Sequence, residues 1–456
     1  MKADRKTSGC RWGLAVALAV WAVPALARDV SEFGCYGLKE EAVVPAMEGK
    51  DGVFYRLATD LTLGQDLSPA AVEAVARLSA ALEEAGTTLI FAPVPTKAEA
   101  MPEALPDDLS ALEYDWASAQ QEYRQSIRAL RARGVITADL LHGMLEDIGP
   151  EDVARYGTGQ VPLFFRSDYH WTSEGARRAA RQIAGQMRQQ ASYEALPKTT
   201  FETVSIGARE GFSTMRRTMQ MRCRQALPEV ETMGFDTTPV ADPSQTADEP
   251  LDIFADADEQ VPVVLLGTSF SDNPTNNFAG WIEQYSDLEV LNYAVTGGGQ
   301  FGALLSYLTS DDYARQRPAF IVWESPIYAD IMQFGSGPME ELVAAADAKS
   351  CSHKLVLHDV DGTLEAQLNG STFGTSDAIF ARFGDEGPRK ATFVLRTESG
   401  IERQYHFRRG DRLRATGNFW LSLAPYSQTP LNSVRVTFDR PVNNGSSLSL
   451  CFDIGE

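Results

Sequence analysis

Asp168, His170 and Ser269 are the residues whose types and spacing can do chemistry. An acid two residues before a histidine in an extended segment puts both side chains on one face. A carboxylate so placed holds the imidazole in the tautomer that accepts a proton. A nucleophile to supply that proton lies about a hundred residues later, in Leu266-Gly267-Thr268-Ser269-Phe270-Ser271. The preceding run Val263-Val264-Leu265-Leu266 reads as a buried strand, with Gly267 to Ser269 as the turn leaving its carboxyl end. Ligands bind at that edge of open α/β sheets. Ser269 would attack an acyl group, His170 would take its proton and Asp168 would orient His170. The Ser269 N–H is placed to help hold an oxyanion. Alone, Ser269 reads as well as a turn serine capping the next helix; the acid–histidine pair favours the nucleophile.

The elements that position these residues alternate. Ser68-Pro69 starts a helix, and Val72, Val75, Leu78, Ala81 and Leu82 recur at helical spacing. Residues 87–92 form a β-prone run, residues 116–133 a second helix, and Val135-Ile136 begins another strand. Thr172 can cap a helix running to about Gln190, with Glu174 in its first turn. Residues 261–266, 288–293 and 319–323 are the later strands. That pattern implies a doubly wound parallel sheet covered by helices. Residues 196–260 interrupt it with a Pro-, Thr- and Asp-rich insertion that has no readable structure. From about residue 350 the runs are short, β-prone and separated by turns, the texture of a β-sandwich.

Residues 1–27 read as a cleavable signal peptide: Lys2, Arg5, Lys6 and Arg11, an apolar run, then Ala25-Leu26-Ala27. Cys35, Cys223, Cys351 and Cys451 would then remain in an exported chain, with three possible pairings. Cys35–Cys223 and Cys351–Cys451 are favoured, because each bridge then lies inside one domain. The net charge is −21, and residues 346–456 balance, so the acidity sits on residues 28–345. Such a body argues against nucleic acid as the main partner. The stretch 382–414 is the basic exception and suits a polyanion. His142, His353, His358 and His406 show no metal-ligand spacing, so no metal is expected. No nucleotide or coenzyme A motif appears, and no cofactor is expected.

The strand-Gly-Thr-Ser269 block, together with Asp168-x-His170-Trp171-Thr172 upstream of it, resembles the SGNH-like sugar O-acetyltransferases of the AlgX/AlgJ family. The likeness covers nearly the whole chain, including the permuted order in which the nucleophile block follows the acid–histidine block. It implies an SGNH-like domain over 28–345 and a carbohydrate-binding module over 346–456. It implies a periplasmic enzyme that acetylates Ser269 and passes the acetyl group to mannuronate hydroxyls of alginate. A membrane acyltransferase delivering acetyl groups and other alginate export proteins are the implied partners. Asn292 to Gly297 looks like the second block, with the Gly297 N–H in the oxyanion hole. The family's third-block asparagine is missing; Trp323-Glu324-Ser325-Pro326 stands there, and Tyr328 is the expected substitute donor.

In the β-rich part, residues 390–396 alternate. Ala391, Phe393 and Leu395 should face the core, with Lys390, Thr392 and Arg396 exposed. Arg403 and Arg408 are expected to join that face across a hairpin, giving cations to grip uronate carboxylates. Trp420 suits either a sugar ring or the core. Two other readings compete: a carbohydrate esterase with water as acceptor, and a polymer-binding scaffold with a vestigial triad.

Overall fold

The apolar run Val263–Leu266 is buried along its whole length because it has neighbours on both edges and both faces. In the computed structural model it lies within a five-stranded sheet. The order is Ile136–Thr137, Thr88–Val94, Phe320–Pro326, Val263–Leu266, Val290–Asn292, with every pair parallel. The structure describes residues 31–146, 162–240, 261–347, 351, 353–360, 362–384 and 387–452. The signal-peptide reading lies outside these residues.

Alternation along each strand divides the core in two. Leu89, Phe91, Val264, Leu266, Ile321 and Trp323 face Val72, Val75 and Leu78 of the helix Pro69–Glu84. That helix begins as the sequence predicts, with the Ser68 hydroxyl accepting from the Ala71 N–H. Ile90, Ala92, Leu265 and Val322 pack on the other face against the helices Trp116–Ala132, Ser173–Arg188 and Phe278–Ser286. Near-continuous apolar strands are what a parallel sheet covered on both faces requires. Among the described residues no helix is long and apolar enough to cross a membrane.

The insertion is more ordered than its composition suggests. Phe201–Glu210 and Glu231–Pro239 pair as a long antiparallel hairpin, and the helix Thr214–Gln220, in the connection between them, packs on the N-terminal segment. The disulfide Cys35–Cys223 ties that helix's end to the start of the described chain, and Cys351–Cys451 closes the C-terminal part.

The C-terminal strands form two antiparallel sheets of four and five strands around Phe393, Leu395, Phe419 and Val434. The four-stranded sheet leans on the helix Gly337–Ala346 of the α/β part. There Arg409 makes a two-pronged ion pair with Glu341, at 2.9 and 2.6 Å, with both side chains 2% exposed. Trp420 stacks on Phe380 at 4.3 Å and packs against the α/β core, so its ring belongs to this junction.

Candidate active site

The chain brings Ser269 to the top of the sheet by ending the strand Val263–Leu266 in a glycine. A Cβ on Gly267 would stand 2.5 Å from a Glu324 carboxylate oxygen and 2.6 Å from the Ser271 hydroxyl, so only glycine fits. Glu324 comes from the neighbouring strand Phe320–Pro326 and is fully buried. It accepts from the Thr268 N–H at 2.7 Å, the Thr268 hydroxyl at 3.1 Å and the Ser271 hydroxyl at 2.9 Å. These bonds clamp the turn on both sides of Ser269. Burial pushes the Glu324 carboxyl up, while its three donors and His170 act to lower it.

The acid–histidine segment is a bend, not the extended run expected. Asp168 Oδ1 accepts from the His170 backbone N–H at 2.8 Å, closing a turn of the kind short Asp side chains favour. The same oxygen lies 2.6 Å from His170 Nδ1, and His170 Nε2 lies 2.8 Å from Ser269 Oγ. With Nδ1–H given to Asp168, Nε2 is left to accept the serine proton; the hydrogen-bond network assigns this tautomer. Burial works to raise the Asp168 carboxyl, but bonds from His170 and Ser213 hold it below the usual range. Trp171 then donates its indole N–H to the Phe270 carbonyl at 2.9 Å, locking the two motifs together.

Four supporting groups were not recognisable in the sequence. The Ser213 hydroxyl, from the insertion, donates to Asp168 Oδ2 at 2.5 Å. Buried Lys97 donates to the carbonyls of Phe54, Phe165, Arg166 and Asp168 at 2.5 to 3.0 Å. Burial pushes its amine down to about 7, against Asp60 and Asp168. Tyr169 lies between His170, 4.1 Å between ring centroids, and Arg56, whose guanidinium carbon is 4.2 Å from its ring. Burial above all pushes the Tyr169 phenol up, while Arg56 and a hydrogen bond with Ser269 pull it down. Arg56 is itself held by Asp60 at 2.8 and 3.1 Å.

Tyr328 sits on the far side of this group: Arg56 donates to its hydroxyl at 3.4 Å and lies 4.7 Å from its ring. Gly297 follows the strand Val290–Asn292 at φ 72°, a left-handed conformation glycine adopts freely. Its loop is tied to the turn that carries Ser269, Val295 N–H bonding the Gly267 carbonyl at 3.1 Å and Thr296 N–H the Asp272 carboxylate at 3.0 Å.

On the five-stranded sheet, Lys390 pairs with Arg408, Thr392 with His406 and Arg396 with Glu402. Lys390, Thr392, Arg396 and Arg408 therefore share the outer face, with His406 and Gln404 beside them. Arg403 does not join it. Its partner is Leu395, a core residue, so two-residue alternation turns Arg403 to the opposite face.

The chain is similar to the alginate biosynthesis protein AlgX of Pseudomonas aeruginosa, 29% identical over 287 residues, which is 63% of this chain and 56% of that protein. It spans about half the length of the AlgX relatives it matches. A protein described as probable alginate O-acetylase AlgJ, from Pseudomonas syringae pv. tomato, is 31% identical over 277 residues, 59% of this chain and 66% of the relative. The solved structure of Pseudomonas aeruginosa AlgX shares the fold, with a TM-score of 0.70 at 22% identity over 90% of this chain and 94% of the other. The family model described as the SGNH hydrolase-like domain of the acetyltransferase AlgX matches residues 46–327, and the chain belongs to that family.

Proposed function

We propose that this protein is an exported O-acetyltransferase that acts on an anionic polysaccharide, alginate, through an acetyl-Ser269 intermediate. The observation that carries the reading is the unbroken relay from Asp168 through His170 to Ser269, at 2.6 and 2.8 Å. His170 Nε2 takes the Ser269 proton as Oγ attacks the acetyl carbonyl of a donor ester. The tetrahedral intermediate collapses when the donor's alcohol oxygen leaves with that proton. A mannuronate hydroxyl then gives its proton to His170 and attacks the acetyl-serine, and Ser269 recovers its proton as it leaves. The Ser269 and Gly297 N–H groups hold the oxyanion, and the phenol that supports it is Tyr169 in place of Tyr328.

Residues 1–27 address the chain to the periplasm, 28–345 carry the transfer chemistry and 346–456 hold polymer. Lys390, Thr392, Arg396 and Arg408 form the outer face that meets carboxylates, and Arg403 stays off it. A membrane acyltransferase brings the acetyl groups, and other alginate export proteins handle the chain. The test uses mature protein, a small acetyl ester and polymannuronate oligomers, read by mass spectrometry. Oligomers gain acetyl mass with the wild type and not with Ser269→Ala. Free acetate without labelled oligomers would replace the transferase with an esterase.

A further inference from the structure

An open cleft of about 410 Å³ runs beside the short helix Ser269–Asp272 and the segment that follows it. One wall is the segment from Ser271 to Ala279, directly after Ser269, and Asn292 closes the end of the edge strand. The other wall is the hairpin of the insertion, with Arg209, Phe235 and Asp236. The hairpin is docked on the helix that leaves the acid–histidine segment: Thr232, the register partner of Arg209, accepts from the backbone N–H of Ser173, the first residue of Ser173–Arg188 and three residues past His170. The cleft and the triad are therefore positioned by the same elements.

The accessible lining is polar: Asn273, Thr275 and Asn292 offer amide and hydroxyl groups to ring hydroxyls, while Phe235 and Phe278 are buried beneath it against Trp281 and Trp171. Arg209 is the cation of the cleft, and none of the carboxylates among the described residues pairs with it. Its placement depends on a glycine across the hairpin. A Cβ on Gly234 would stand 2.4 Å from Arg209 Cγ, so the missing side chain lets the arginine stem lie across the strand. Glu210 and Asp236 also line the cleft. Carboxylates accept from sugar hydroxyls, and they repel a second uronate carboxylate. One carboxylate is thus accepted, at Arg209, and the rest of the lining takes hydroxyls.

We infer that this cleft is an acceptor subsite, holding one uronate unit of the polymer beside the unit being acetylated, with its carboxylate on Arg209. The inference rests on the acceptor reading proposed above. It assigns the insertion a function: the hairpin supplies one wall of the acceptor path in a domain whose acidic surface otherwise repels a polyanion.

The test uses the full mature chain, a small acetyl ester and polymannuronate oligomers below saturation, and measures how acetyl divides between oligomer and water. Arg209→Ala removes the charge, and Thr275→Trp fills the cleft without touching a charge. Arg209→Ala is expected to lower transfer relative to hydrolysis by roughly tenfold or more, the effect of losing a hydrogen bond to a charged group, and Thr275→Trp to lower it in the same direction by excluding the sugar. Oligomer KM should rise to match. A transfer-to-hydrolysis ratio within twofold of wild type in both variants, with oligomers still labelled, overturns the subsite alone. Donor hydrolysis with no labelled oligomer in the wild type overturns the acceptor reading and the subsite with it.

Discussion

Ser213→Ala is the sharpest test of how the site is held. The serine hydroxyl makes two bonds at once, donating to Asp168 Oδ2 at 2.5 Å and accepting from the Arg216 N–H at 2.9 Å as the cap of the helix Thr214–Gln220. A hydrogen bond to a charged group contributes about 1.5–3 kcal/mol, and an N-cap about 1 kcal/mol. The variant should therefore lose about 3 kcal/mol of stability at neutral pH, by urea denaturation. The two parts separate with pH. The cap does not titrate. The Asp168 carboxyl is depressed in the folded chain, so its contribution is complete above the unfolded carboxylate value of about 3.9 and is lost as pH falls through the folded one. The deficit of the variant should thus shrink on acidification toward the cap's share. Turnover of a small acetyl ester should fall about tenfold at pH 7, because a carboxylate held by His170 alone no longer fixes the ring. Wild-type turnover together with a pH-independent stability loss would show that Ser213 serves the helix and not Asp168.

Three further outcomes follow from buried groups. Glu324→Gln offers one acceptor oxygen to three donors and removes a buried negative charge near His170. Because burial raises this carboxyl, its ionisation costs stability above that raised value, so the denaturation midpoint should move little. The acid limb of the pH–rate profile should instead shift to lower pH and kcat should fall; an unmoved profile would reduce Glu324 to a structural clamp. Lys97→Met strips the donor from four carbonyls, including that of Asp168, and should cost about 3 kcal/mol or more, checked by denaturation, with turnover falling in step. Arg409→Met leaves Glu341 buried without its cation and should cost about 3–5 kcal/mol, whereas ester turnover well below the unfolding midpoint should persist.

The parts legible in the sequence share a property: each is encoded locally. The strand Val263–Leu266, the Gly267 turn and the Asp168-x-His170 spacing carry their signal within a few residues, and so does the Ser68 cap. The permuted motif order is no obstacle either, because the bend carrying Asp168 and His170 needs only to meet the turn after Val263–Leu266, and Phe320–Pro326 brings Glu324 to that turn from later in the chain. Ser213 lies forty-five residues from its carboxylate, in a segment without periodicity. Lys97 reads as an ordinary charged residue because its partners are backbone carbonyls, which are the same in every sequence. Arg403 marks a subtler limit. In the hairpin ladder every pair joins two even-numbered or two odd-numbered residues, so Arg408 meets Lys390 while Arg403 meets Leu395. That parity is set by the length of the connecting loop, and a shift of one residue there would exchange the two arginines. The residues that hold the candidate site together are thus invisible where their partner is backbone, distant, or fixed by a register that the turn decides.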